Sequence, residues 1–224
     1  MMSAIIEQLP NHMDYFDLKC RQCPRLANFL DQVKEQYPDY HARPVPPFGV
    51  DDPKLLIIGL APGMHGANAT GRPFTGDHAG ILLYKALYKF GFSNQETGIN
   101  ANDGLELINC RISNAVKCLP PENKPTGEEI NICNQFLSAE LETLLPGTVI
   151  MALGLIAHKA ILKGLNLKQK DYPFGHGNVV ALHNGRWLVD SYHCSRYNTQ
   201  TRRLTEEMFF DIFKKLLELI NINY

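Results

Sequence analysis

Four cysteines in two distant pairs are the clearest chemical signal in the chain. Cys20 and Cys23 form a C-x-x-C pair, while Cys118 and Cys133 bracket fourteen residues much further along. Four thiolates on one centre suit either a tetrahedral zinc ion or an iron–sulfur cluster, and the spacing names the ligands rather than the metal. Pro24 and the Pro120-Pro121 pair set turns close behind two of these cysteines. Such turns expose backbone N–H groups to sulfur, which favours the cluster over zinc. Cys110 sits inside an apolar run and reads as core.

Three further groups carry polar or aromatic chemistry. A glycine-rich stretch runs from Gly59-Leu60-Ala61 through Gly66, Asn68 and Gly71 to Phe74-Thr75-Gly76-Asp77. It has neither the G-x-G-x-x-G spacing of a dinucleotide site nor the Gly-Lys-Ser/Thr of a phosphate loop. Phe74 near Asp77 instead offers an aromatic platform and a carboxylate, which suits a flat substrate. In the second group, Ser113-Asn114 interrupts an apolar run, and a buried amide there needs a partner. The third is Asp190-Ser191-Tyr192-His193-Cys194-Ser195-Arg196, whose His193 reads equally as a site residue or as a hydrogen-bonded loop histidine.

The elements that must position these groups alternate. Residues 54–60, 104–116 and 148–153 are apolar runs with the pattern of strands buried on both faces. Between them, residues 81–90 and 126–145 repeat apolar positions at helical spacing, the latter behind a Thr126-x-x-Glu129 capping box. A helix over 154–165 follows, then a hairpin of 178–182 and 186–192 around Asn184-Gly185, then an amphipathic helix over 204–220. Residues 37–53, rich in proline, read as an extended connector from an N-terminal helical segment. The order predicts an α/β fold: one domain over residues 1–224, with a central, mostly parallel sheet flanked by helices.

Composition narrows the class of protein. With 45% apolar residues the chain can bury a substantial core, and 22 Lys plus Arg against 23 Asp plus Glu exclude wholesale attraction to polyanions. Apolar runs such as 148–157 fall short of the ~18 to 20 residues of a membrane span, and the first residues do not resemble a signal peptide. Six cysteines without an export signal point to metal or catalysis and to an intracellular, cytoplasmic location.

Residues 59–77 (GLAPGMHGANATGRPFTGD), 112–126 (ISNAVKCLPPENKPT) and 191–198 (SYHCSRYN), with the four cysteines, resemble the iron–sulfur uracil-DNA glycosylases. The likeness runs from about Cys20 to the C-terminal helix and is greatest to the type-b, or fifth-family, branch. It implies a three-layer glycosylase fold and a monofunctional enzyme. That enzyme would hydrolyse the N-glycosidic bond of uracil, and by family breadth of other deaminated bases, in DNA. It also implies a [4Fe-4S] cluster on Cys20, Cys23, Cys118 and Cys133, a monomer, and association with the nucleoid during repair. By the same resemblance Phe74 stacks on an everted base, with Gly59 and Ala61 beside it. Asn114 would bond the base edge, His193 would donate to the base oxygen that gathers charge, and Asp77 would act near the sugar.

Two departures from the family matter. Cys194 stands where His-Pro-Ser is usual, which is expected to loosen the loop and offer an oxidisable thiol. Ala69 replaces a common basic residue and removes a phosphate contact. DNA contact then falls to Ser195 and to the acid-free stretch with Arg196, Arg202 and Arg203; a second stretch, with Lys159, Lys163, Lys168 and Lys170, reads equally as a solvated face. The competing readings are a non-catalytic, metal-stapled nucleic-acid-binding module and, ranked lowest, an electron-transfer protein.

Overall fold

The computed structural model describes residues 16–222, leaving the reading of the extreme N-terminus as leader-free outside the described residues. In chain order the elements are α1 (Pro24–Gln36), β1 (Phe48–Gly49), β2 (Leu55–Gly59), α2 (Ala67–Thr70), α3 (His78–Lys89) and β3 (Cys110–Asn114). Then come α4 (Gly127–Glu142), β4 (Val149–Leu153), α5 (Leu155–Gly164), β5 (Val179–Ala181), β6 (Trp187–Ser191), α6 (Arg196–Gln200) and α7 (Glu206–Ile222). No helix among the described residues is long and apolar enough to cross a membrane.

One sheet holds all six strands in the order β1-β3-β2-β4-β6-β5. The inner four are parallel, and the two edge strands run antiparallel to their neighbours. The apolar runs explain the centre: every residue of β2, β3 and β4 is buried, because helices cover both faces. Strand alternation divides the core. Leu55 and Ile57 pack with α3 and α7 through Leu83, Phe209 and Phe213. Leu56 and Ile58 point the other way, toward Leu137 of α4 and Ile161 of α5. The result is the three-layer α/β architecture expected from the sequence.

Local chemistry sets the element ends. The capping box closes as read: Thr126 N donates to Glu129 Oε2 at 2.7 Å and Glu129 N donates to Thr126 Oγ1 at 3.2 Å. In the hairpin turn Asn184 and Gly185 take φ of 64° and 69°, the left-handed pair that a tight hairpin wants.

Two expectations need correction. The run 104–116 is a strand only over Cys110–Asn114, because Asn109 adopts φ 52° and breaks the extended path. The connector 37–53 also contributes a short edge strand, where Gly49 passes so close to β3 that a Cβ would lie 2.2 Å from the Cys110 carbonyl oxygen.

Candidate active site

The order of the strands creates a crevice. From β2 the chain crosses through α3 to β3 on one side, whereas from β4 it crosses through α5 to β6 on the other. Where neighbouring strands send their loops in opposite directions, the carboxyl ends of the sheet open a ligand site. A cavity of about 610 Å³ lies there. Phe74 and Asp77 from the loop after β2, Asn114 from the end of β3, and His193 after β6 all line it. Residues from three widely separated segments of the chain are thus brought into one pocket.

Each is held by identifiable local forces. Phe74 is 5% exposed and takes φ 55°, a left-handed conformation that is costly for an aromatic residue. Its neighbours overdetermine it. Tyr84 Oη donates to the Pro73 carbonyl at 2.7 Å, Arg72 Nε donates to Thr75 Oγ1 at 2.7 Å, and Arg72 forms a two-point salt bridge to Asp103 with both contacts at 2.8 Å. Gly80 is required behind it, since a Cβ there would lie 1.8 Å from the Phe74 carbonyl oxygen.

Asp77 is the N-cap of α3, accepting from Gly80 N at 2.8 Å. Burial raises its carboxyl above the usual range, and the helix N–H groups of Gly80 and Ala79 partly oppose that. Gly66 makes room for it, because a Cβ would meet Asp77 Oδ2 at 2.8 Å.

Asn114 and His193 share a property that the sequence could not display. Asn114 Oδ1 and His193 Nδ1 are buried without a hydrogen-bond partner among the described residues. An unmet buried polar atom costs ~1 to 3 kcal/mol, so both are poised for a ligand. Burial pushes the His193 imidazole down to about 4, which keeps it neutral at physiological pH. The two rings of His193 and Phe74 lie 6.0 Å apart at 28°.

The remaining expected positions divide. Ala61, Ser195 and Arg196 line the cavity, whereas Gly59 is not among its lining residues. Gly59 acts from behind, because a Cβ there would meet Asn114 Oδ1 at 2.5 Å and Phe74 Cζ at 2.6 Å. The loop bearing His193 is better fixed than the loss of proline suggested. Asn198 Nδ2 donates to the His193 carbonyl at 2.8 Å, and Tyr192 N donates to His176 Nδ1 at 3.1 Å. Cys194 is fully buried and its thiol is pushed upward by burial, which disfavours the oxidisable thiol expected from sequence.

Sequence reasoning missed Asn123, Phe174 and Tyr192 as lining residues. Asn123 follows Pro120-Pro121-Glu122 in a turn where it adopts φ 56°. Phe174 sits between Pro173 and Gly175, a pattern that by composition alone reads as an ordinary turn. Arg203 also lines the cavity, with its guanidinium 4.7 Å from the centre of the Tyr192 ring.

A second, smaller cavity gathers Cys20, Cys23, Cys118 and Cys133. Cys23 is the N-cap of α1, Cys118 follows β3, and Cys133 is on α4. Burial, reinforced by the neighbouring thiols and Glu129, pushes Cys23 up to about 11, and burial also raises Cys118 and Cys133. Lys117 N donates to Cys133 Sγ at 3.2 Å. Among the described residues no group of three or more His, Cys, Asp or Glu side chains is set to hold a single metal ion. Nearby, Arg25 of α1 grips Glu129 of α4 through two contacts of 2.7 Å, drawing the segments that carry these cysteines together.

Comparison with known proteins identifies the family. The profile of the Uracil DNA glycosylase superfamily matches residues 46–217. A type-5 uracil-DNA glycosylase of Thermus thermophilus is 43% identical, the match covering 91% of this chain and 94% of the relative. One from Pyrobaculum aerophilum is 41% identical over 88% of each. A type-4 uracil-DNA glycosylase of Thermotoga maritima is 32% identical over 79% of this chain and 77% of the relative.

Proposed function

The chain belongs to the uracil DNA glycosylase superfamily, and from that premise we propose that it excises uracil from DNA by hydrolysing the N-glycosidic bond, leaving an abasic site. The observation that carries this reading is the pair of unpartnered polar atoms, Asn114 Oδ1 and His193 Nδ1, in a cavity walled by Phe74. Uracil offers a flat face, an N–H flanked by carbonyl oxygens, and a leaving group that gathers negative charge on oxygen.

Those features match the residues in turn. Phe74 stacks on the everted base, a contact worth ~1 to 3 kcal/mol. Asn114 accepts from the base N–H through Oδ1, and its amide NH2 donates to an adjacent carbonyl. His193, held neutral by burial, donates a single N–H to the base oxygen that becomes anionic, an interaction that strengthens only as the bond breaks. Asp77 supplies negative charge toward the sugar side and orients water there. Its role as helix cap fixes the carboxylate in place, so stabilisation and positioning outweigh strong base catalysis. Ser195, Arg196 and Arg203 at the cavity would take the phosphates on either side of the damaged base. Other deaminated bases and a monomeric state are part of the same reading.

The four cysteines would hold a [4Fe-4S] cluster. Their all-sulfur donor set surrounds one cavity, burial disfavours the thiolate at Cys23, Cys118 and Cys133 where no cation balances it, and a backbone N–H already faces one sulfur. Four cysteine sulfurs on one cavity are the donor set such a cluster uses. When bound, the cluster would cross-link α1, the loop after β3 and α4, and so brace the strand end that carries Asn114.

Incubation with a uracil-containing oligonucleotide, followed by alkali, tests the activity. Strand scission at the uracil is expected; binding without scission would favour a non-catalytic module. Stoichiometric iron and a brown colour in the purified protein are the expected cofactor result, and zinc in their place overturns it.

A further inference from the structure

Phe174 has no part in the roles above, yet it lines the same cavity as Phe74. It belongs to a strap, residues 172–178, that joins α5 to β5. The strap is tied on both sides of Phe174 to one buried pair. On one side His158 Nε2 lies 2.9 Å from the Tyr172 carbonyl oxygen; on the other, Gly175 N donates to Asp190 Oδ2 at 3.2 Å. Between these ties His158 Nδ1 and Asp190 Oδ1 are 2.7 Å apart, with both side chains 2% exposed. The Phe174 ring stands edge-on to His158, with centroids 5.5 Å apart at 77°, and lies 6.3 Å from Tyr192.

Burying a His–Asp pair is an expensive way to fasten a surface loop unless the loop must hold a defined position. Apolar side chains would fasten it at less desolvation cost. What the pair fixes is an aromatic ring at a cavity whose volume leaves room beyond one pyrimidine.

Resting on the glycosylase reading above, we infer that Phe174 is the second wall of the base pocket, setting the size of base accepted, and that His158 and Asp190 are its positioning residues. Phe174 confines a small base against Phe74 and crowds a bulky one. The pair acts only through the strap, touching neither base nor sugar.

The test compares excision of uracil and of hypoxanthine from otherwise identical oligonucleotides, read as the ratio of kcat/KM in one preparation. Phe174→Ala should lower the uracil-to-hypoxanthine ratio by about fivefold or more, and Phe174→Leu should restore most of it. Hypoxanthine excision gained where the wild type has none counts as the same shift. Asp190→Asn, or the milder His158→Gln if the first does not fold, should move the ratio the same way. Neither should move it further in the Phe174→Ala background. An unchanged ratio in Phe174→Ala overturns the pocket wall. Equal shifts from Asp190→Asn with and without Phe174 overturn the positioning role. Failure of the wild type on both bases would instead sink the glycosylase reading itself.

Discussion

The rings of Phe74 and His193 face each other at 6.0 Å and 28°. Two aromatic contacts of about 3.5 Å each need roughly 7 Å, so the gap is too narrow to sandwich a base. On the proposed reading the base would stack on Phe74 and meet His193 with its edge. His193→Ala should lower uracil excision by about 10² to 10³-fold, the loss typical of an oxyanion-type donor, with a larger effect on kcat than on KM. Single-turnover excision assays check this, and a loss confined to KM sinks the donor role.

Asp77 caps α3, and the proposed reading gives it a second, catalytic role that substitution can separate from the first. Asp77→Ala removes both the carboxylate and the cap of α3, costing about 1 kcal/mol of stability, while Asp77→Ser keeps a capping oxygen. Excision should fall at least about tenfold in both variants, but thermal denaturation should show lost stability only in the alanine variant. Wild-type rates in Asp77→Ser would restrict Asp77 to capping.

Gly59→Ala tests the geometry behind the pocket. The added Cβ would press on Asn114 Oδ1 and Phe74 Cζ, an overpacking cost of about 1 to 3 kcal/mol. We expect uracil excision to fall at least about tenfold while the chain still folds. Circular dichroism alongside the rate assay separates the two, and unimpaired excision removes Gly59 from the site.

Two histidines make opposite demands on pH. His193 is held at about 4 by burial, so the unfolded chain binds the extra proton between pH 4 and about 6.5, and stability falls as pH drops through that window. For His158, burial favours the neutral ring, but the bonds to Asp190 and the Tyr172 carbonyl prevail and raise its pKa. Its contribution is fully present below about 6.5 and is lost as pH rises through the folded value. Thermal denaturation across pH should flatten on the acid side in His193→Asn and on the alkaline side in His158→Gln. An unaltered profile in both contradicts these environments.

DNA affinity should depend on salt through the cavity rim. Arg196→Ala and Arg203→Ala should each reduce the slope of log K against log salt by about 1 if each meets one phosphate. A slope identical to wild type in both variants places the DNA path elsewhere.

Much of this protein could be read before its structure. Unbroken apolar runs mark strands buried on both faces, the Thr126 to Glu129 box marks a helix start, and Asn184-Gly185 marks a hairpin, because each is a local rule of backbone and burial. Phe74, Asp77, Asn114 and His193 stood out as polar or aromatic groups in a loop or an apolar run, but the roles expected of them came from the family resemblance of residues 59–77, 112–126 and 191–198. The settings of Cys194 and Gly59 were not legible. Whether a thiol is exposed, or a glycine lines a pocket or stands behind it, depends on neighbours contributed by distant strands.

The tertiary structure alone decided three things. It left Asn114 Oδ1 and His193 Nδ1 without partners among the described residues, gave Phe74 its left-handed backbone, and tied Phe174 to the cavity through His158 and Asp190. The first and third arise because elements far apart in the chain meet across the sheet, whereas the Phe74 backbone is held within the β2–β3 connection by Arg72, Tyr84 and Asp103. Hydrogen bonding and burial at such a meeting point are properties of the assembled neighbourhood, which no local pattern encodes.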